Sequence, residues 1–306
     1  MTTGTQLAPS SVMANNRVSN RRVLYLAFTY IVLSIGALVF LVPFIWTIFT
    51  SLKSSSEISS TTITILPKGD WHWENFSKVF TNPGIDFPRY LLNTIFVIAG
   101  ILIGKVISCT LVGYGFARFR APGKNILFIA MLSTMLLPSY VTLVPTYLLF
   151  TQIFHWGDSF LPLIVPHFFG EAFYIFLMRQ FFMGLPYELE EAATIDGAGR
   201  FRIFVQIMLP MVTPAIVAMC VLTFMGAWND YFTPLIYLND PSKYTLALGL
   251  QFLRDNTIGV NNSGSVGQLN VLMAGALVMI IPMLIIFFVA QKFIIEGVSV
   301  TGLAGR

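Results

Sequence analysis

Several groups of residues in this chain could do chemistry, and the most concentrated is a polar island in an otherwise apolar sequence. It runs Leu185-Pro186-Tyr187-Glu188-Leu189-Glu190-Glu191-Ala192-Ala193-Thr194-Ile195-Asp196-Gly197-Ala198 and continues to Pro210. Pro186 suits the first turn of a helix, where its missing N–H costs nothing. Glu188, Glu190 and Glu191 then fall where the helix dipole favours negative charge. Leu189, Ala192 and Ala193 fall at i, i+3 and i+4, so one face is narrow and made of small residues. Gly197 is placed to end the helix in a left-handed cap, just after Asp196. A second short helix is expected beyond it, with Phe201, Phe204, Val205 and Met208 on its apolar face. Such a unit serves for docking into a cleft on another protein or for lying on a membrane surface, and the residues alone allow both.

The other chemistry is that of solute contact and intramembrane charge. Trp228-Asn229-Asp230-Tyr231-Phe232 sets aromatic rings beside an amide and a carboxylate. Rings stack on the apolar face of a pyranose while Asn and Asp bond its hydroxyls; an interfacial aromatic belt is the simpler alternative. Pro138-x-Tyr140-x-Thr142-x-x-Pro145 is a candidate lining of a path, because proline frees backbone carbonyls that need a partner or a wet cavity. Packing kinks explain it equally well. Lys105 and Glu171 fall inside apolar segments, where charges are costly and face a cavity or each other. At ~1.5 Å rise per residue, Lys105 lies ~20 Å from Arg118 and Glu171 ~12 Å from Arg179, so their side chains can reach one another. A proton relay is the alternative role.

Other chemistry is missing from the sequence. It has no Gly-x-x-x-x-Gly-Lys-Ser/Thr, no Gly-x-Ser-x-Gly and no His-Glu-x-x-His. No metal site, cofactor or enzymatic activity is therefore expected. Basic residues sit at segment ends rather than in one patch, so nucleic acid is not an expected partner.

The elements that must position these groups are membrane helices. The 306 residues are 56% hydrophobic and 10% charged, against about a quarter charged in a soluble protein. Six segments reach the length a bilayer requires: about 24–49, 91–116, 126–149, 160–178, 211–236 and 271–291. Val23–Leu52 carries no charge, and Leu24–Phe49 within it is read as an uncleaved first span. The second span carries Gly100-x-x-x-Gly104 and Gly113-x-Gly115, a spacing that lets helices approach closely. With the N-terminus inside, eleven Lys and Arg fall in cytoplasmic segments and six outside. The expected organisation is a cytoplasmic tail 1–22, a first helix 23–50, an external loop 51–86, a core 87–292 with its loop 179–210 in the cytoplasm, and a cytoplasmic tail 293–306. Trp71-His72-Trp73 reads as interfacial anchoring, with solute stacking the lesser alternative. Asn239–Gln268 reads as an external polar loop, too polar to be core.

Glu191-Ala192-Ala193, three residues, Gly197, nine residues and Ile207-Met208-Leu209-Pro210 together resemble the coupling-loop signature of ABC importer permeases. The flanks Asp196-Gly197-Ala198 and Trp228–Phe232 resemble the maltose-type carbohydrate branch. The likeness covers roughly Phe87 to Arg306 and, more loosely, the first span. It implies an all-α, six-helix type I importer permease, N-in and C-in, multi-pass in the bacterial inner membrane. Implied partners are a second permease subunit forming a heterodimer, two cytoplasmic ATPase subunits, an extracytoplasmic sugar-binding protein and the sugar itself. Glu191 would meet the ATPase, Ala192 and Ala193 would allow close docking, Gly197 would permit the turn, and Asp196, Ile207, Leu209 and Pro210 complete the loop. The loop after Asn239 would contact the binding protein. At the end of the chain Ala304 stands where family members commonly carry Lys, and Arg306 follows. Alternatives are an ABC permease for another small solute, an ion-coupled secondary transporter, and a non-transporting scaffold.

Overall fold

In the computed structural model, residues 20–60, 64–81, 85–258 and 268–303 are described, and they are helical throughout with connecting turns. Most of the expected tail 1–22, part of the 239–268 segment, and Ala304 and Arg306 lie outside the described residues, as do the side chains from Lys292 onward. Met1–Ile48 and Phe49–Arg306 form separate units. The first contributes most of α1 (Asn20–Ser51), an apolar helix with exposed side chains such as Leu24, Phe28 and Phe40.

Within the second unit, α2 (Phe87–Arg118) is the central helix. The Asp86 carboxylate caps its start by accepting from the Arg89 N–H at 3.2 Å, with Pro88 in the first turn. Gly100, Gly104 and Gly113 let the Leu161–Met183 segment close onto it. A Cβ on any of them would come within 2.7 Å of Ile164, Phe168 or Met178, respectively. That segment is not one straight helix. It pauses at Gly170 (φ +85°) before α5 (Ala172–Met183), which places Glu171 at the break.

Four helices among the described residues are long and apolar enough to cross a membrane, and six spans result if two bent pairs each count as one. Both bends fall at or near prolines. Lys124–Leu136, containing α3 (Lys124–Ser133), turns by 102° into Tyr140–Ile153, containing α4 (Ser139–Leu148). Extended Pro138 sits at the join, and the residue before a proline is itself biased away from helix. Arg200–Met211 turns by 73° into α7 (Thr213–Asn229). Between α5 and that bend lies α6 (Glu188–Ile195).

The segment expected to be a polar loop after Asn239 is corrected more strongly. It forms α8 (Leu246–Ile258), in which Leu246, Leu248 and Leu253 are buried. The Gly/Asn/Ser composition belongs mainly to residues 259–267, and averaging over both hid the apolar helix. Leu246 joins Phe87, Tyr90, Trp228 and Val271 in the core at one end of the bundle. The last helix, α9 (Leu269–Leu303), starts there, where Asn270 donates to the Lys53 carbonyl at 3.0 Å. Asn75, fully buried, donates to the Ser51 and Lys53 carbonyls, so the 49–81 segment is pinned by side-chain hydrogen bonds as well as by buried Leu52 and Val79. Trp71 and Trp73 are 50% and 62% exposed; Trp71 meets Phe49 edge-on and Trp73 stacks on Phe76. A second core, at the other end, joins Cys109, Tyr114, Met178, Phe182, Ala193, Phe204 and Met208.

Candidate functional site

The α6 end of the molecule is built around a helix with two different faces. Pro186 precedes the first turn rather than occupying it, since the helix begins at Glu188 after Tyr187. Ala193 is buried in the core of its own chain, whereas Glu191, Ala192 and Asp196 are exposed. The small-residue face is thus divided: Ala193 allows α6 to sit close to the bundle, and Ala192 faces away from it. Glu190 lies one turn before Ala193 on the buried face, so its carboxylate needs a cation. Arg118, the last residue of α2, supplies it with Nε at 2.9 Å from Oε1, and the two side chains are 7% and 14% exposed. The same guanidinium donates to the Leu185 carbonyl at 2.7 Å and lies over the Tyr187 ring. The Tyr114 hydroxyl donates to the other Glu190 oxygen at 3.4 Å. The α6 helix is therefore held to α2 by charge, hydrogen bonds and a ring contact together.

Gly197 has φ +80°, the left-handed conformation that ends α6. The Ala198 N–H reaches back to the Ala193 carbonyl at 2.9 Å and the Gly197 N–H to Thr194 at 3.0 Å. In the following segment the expected face is half wrong. Phe204 and Met208 are buried, as is Ile203, but Phe201 is 75% exposed and Val205 also faces outward. The backbone over Phe204–Met208 is a π-turn, whose wider winding breaks the 3.6-residue spacing on which that face was based. Ile207 and Leu209 pack against the core, and Pro210 is exposed at the bend into α7. Ile195, 86% exposed, stands beside Phe201 in sequence as a second bare apolar group.

The second site is a cavity of about 540 Å³ between α2, the Leu161–Met183 segment and α7. It is lined by Thr94, Lys105, His167, Glu171, Tyr174, Thr223, Asn229, Asp230, Thr233 and Thr245, with apolar residues such as Val97, Ile101 and Leu163. Lys105 Nζ lies 2.5 Å from Glu171 Oε2 and 4.7 Å from the Tyr174 ring centre. Asn229 donates to the Met225 carbonyl at 2.8 Å, and Asp230 Oδ1 accepts from the Thr233 N–H at 3.1 Å. Trp228 does not face the cavity: its ring is 3% exposed, stacks on Phe224 and donates Nε1–H to the Met279 carbonyl. Tyr140 is 78% exposed, edge-on to Phe232, and does not line the cavity either. Runs of neighbouring residues in sequence cannot all face one way on a helix, which explains why Asn229 and Asp230 line the cavity and Trp228 does not.

Beyond the cavity, Asp158 joins two turns that sequence reading did not connect. Its carboxylate accepts from the Asn239 and Asp240 N–H groups at 3.0 Å and from Lys243 Nζ at 2.7 Å. The Lys243 ammonium and these two amides hold its carboxyl down at about 2. Asn93 of α2 donates to the Ser242 and Tyr244 carbonyls nearby. Polar Asp158 and Lys243 carry no local spacing that would announce this contact.

A bent-span helical bundle with a polar cavity and a short outward helix between spans defines a membrane transport subunit. Residues 97–300 match the family described as binding-protein-dependent transport system inner membrane component. The chain belongs to that family: it is an ABC importer permease, multi-pass in the bacterial inner membrane. It is 30% identical to the diacetylchitobiose uptake system permease protein of Streptomyces coelicolor over 92% of this chain and 89% of that one. It is 32% identical to the sn-glycerol-3-phosphate transport system permease protein of Yersinia pestis, over 92% and 98%. It is also 32% identical to the arabinooligosaccharides transport system permease protein of Bacillus subtilis, over 88% and 92%. The fold is that of a chain in the crystal structure of a bacterial ABC transporter importing the acidic polysaccharide alginate, with TM-score 0.76 and 24% identity over 90% of this chain and 98% of that one.

Proposed function

We propose that this chain forms half of the translocation pathway of an ATP-driven sugar importer and transmits ATPase motion to the spans through α6. The observation that carries the reading is the division of α6: Glu190 and Ala193 fix it to the bundle, while Glu191 and Ala192 are left outward beside bare Ile195 and Phe201. A short helix rigidly attached on one side and unpartnered on the other suits a lever that a second protein moves. Two cytoplasmic ATPase subunits are that second protein, a different permease chain completes the cavity, and an extracytoplasmic binding protein delivers the sugar. ATP binding closes the ATPases, α6 moves, and the bundle alternates between outward and inward access. The chain itself has no phosphate-binding loop and works as a transport subunit rather than an enzyme. The sugar assignment draws on the diacetylchitobiose and arabinooligosaccharide relatives and on a cavity lined by the Asn229 amide and several hydroxyl-bearing residues. The glycerol-3-phosphate relative supports the second reading, a phosphate-bearing small solute.

The test is purification of the tagged chain from its own membranes in mild detergent, beside a Glu191→Lys, Gly197→Asp variant. The expected result is copurification of an ATPase and a second permease with the wild type, and loss of the ATPase from the variant. A wild-type chain that emerges alone while its vesicles still accumulate solute would overturn the proposal.

A further inference from the structure

We infer that the cavity discriminates against anionic solutes and that Asp230 is the residue that imposes this, an inference that rests on reading the cavity as the solute path. Two solute classes are compatible with the fold, neutral saccharides and phosphate- or carboxylate-bearing molecules, and the charges on the cavity wall separate them.

Lys105 is the cation of the lining, and it is committed. Its ammonium lies 2.5 Å from Glu171 and against the Tyr174 ring, and the residue is only 7% exposed. An incoming phosphate would have to compete with Glu171 for it, at the cost of a contact in which Lys105 is already buried. Asp230 is different. It accepts the Thr233 N–H, and among the described residues no cation lies within ion-pair distance of it. With Lys105 and Glu171 cancelling and His167 counted as neutral, the part of the wall that this chain supplies carries one net negative charge, on Asp230. The Asn229 amide and the Thr233 hydroxyl on the same lining suit a hydroxylated ligand. Carboxylate, amide and hydroxyls without a free cation recognise neutral sugars and accept amino sugars. They repel uronates and sugar phosphates, strongly so where the wall excludes water.

The experiment uses three ligands sharing one pyranose ring: glucose, glucosamine and glucuronate, under conditions where the amine and the carboxyl are both charged. Each is titrated by saturation-transfer NMR onto the complete importer in nanodiscs. Expected is glucuronate weaker than glucose by about tenfold or more, and glucosamine at least as tight as glucose. Asp230→Asn keeps the acceptor for the Thr233 N–H and should bring glucuronate to within about threefold of glucose. Glu171→Gln acts independently: it frees Lys105 and should raise glucuronate binding relative to glucose. Equal binding of glucose and glucuronate by the wild type, or a preference unchanged in both variants, overturns the inference. So does absence of binding by all three. ATP-driven uptake of binding-protein-delivered sugar in proteoliposomes is scored separately. If uptake occurs, only the charge inference has failed; if no solute is taken up with ATP, the importer reading fails with it.

Discussion

Arg118 and Glu190 meet across the bundle, guanidinium to carboxylate at 2.9 Å, and fasten α6 to the end of α2. The contact is too bent for a hydrogen bond, and charge holds it. Because both groups are buried, removing one leaves the other uncompensated, at a cost of about 3 kcal/mol. Arg118→Met should therefore loosen α6 and lower the solute moved per ATP hydrolysed. Glu190→Gln should do so less, because it keeps an oxygen for Tyr114. Hydrogen exchange of residues 186–199 checks the first effect, and coupled uptake and hydrolysis assays check the second. Unchanged exchange in Arg118→Met would remove the latch from the account.

Gly197 needs its own test. Nothing lies within 4 Å of a Cβ built there, so a side chain has room, but φ +80° is unfavourable for any branched or bulky residue. Gly197→Leu should cost about 1–2 kcal/mol through the backbone alone and misdirect Phe201 and Ile195. Gly197→Asn, which tolerates this conformation better, should retain most transport. Normal uptake by Gly197→Leu would show that the left-handed turn does not matter.

Lys105 and Glu171 pair within the spans, with Lys105 buried and Glu171 half exposed to the cavity. Lys105→Met and Glu171→Gln should each lower the melting temperature of the purified complex, by an amount reduced because water reaches Glu171. Together they should be milder than the sum of the two, since neither leaves an orphan charge. Additive losses in a double-mutant cycle would rule out the pair as a coupled unit.

The clasp of Asp158 and Lys243 makes a pH prediction with a definite sign. Asp158 is lowered from 3.8 to about 2, so its contribution is complete above 3.8 and is lost as pH falls toward 2. Lys243 is raised above 10.5 by Asp158, so its contribution is complete below 10.5 and is lost as pH rises through the raised value. Protection of the 238–245 segment in detergent should therefore show no clasp titration between those limits. A transition near neutral pH would point to another group.

The membrane class, the short helix Glu188–Ile195 with its left-handed Gly197 turn, and the family-like spacing were legible because they rest on long apolar runs and on residues close in sequence. The paired intramembrane charges were also within reach, since helical rise places Lys105 and Glu171 at depths that differ by no more than their side chains can span. What escaped was set by distant partners or by departures from regular winding. Glu190 read as one of three first-turn acids, and only the burial of Ala193 one turn later distinguishes it. Phe201 was assigned inward on a 3.6-residue period that the π-turn does not keep. Trp228 looked like a sugar platform because aromatics are, but its indole N–H is already bound to the Met279 carbonyl. Leu246–Leu253 was hidden by polar neighbours in the same window.

The most direct test of the central claim is uptake by proteoliposomes containing this chain, its partner permease, the ATPase and the binding protein, with ATP inside and an uncoupler present. The account predicts accumulation of neutral sugar that requires ATP, persists with the uncoupler, and is lowered per ATP hydrolysed in Arg118→Met. Uptake that proceeds without ATP and collapses with the uncoupler would contradict it.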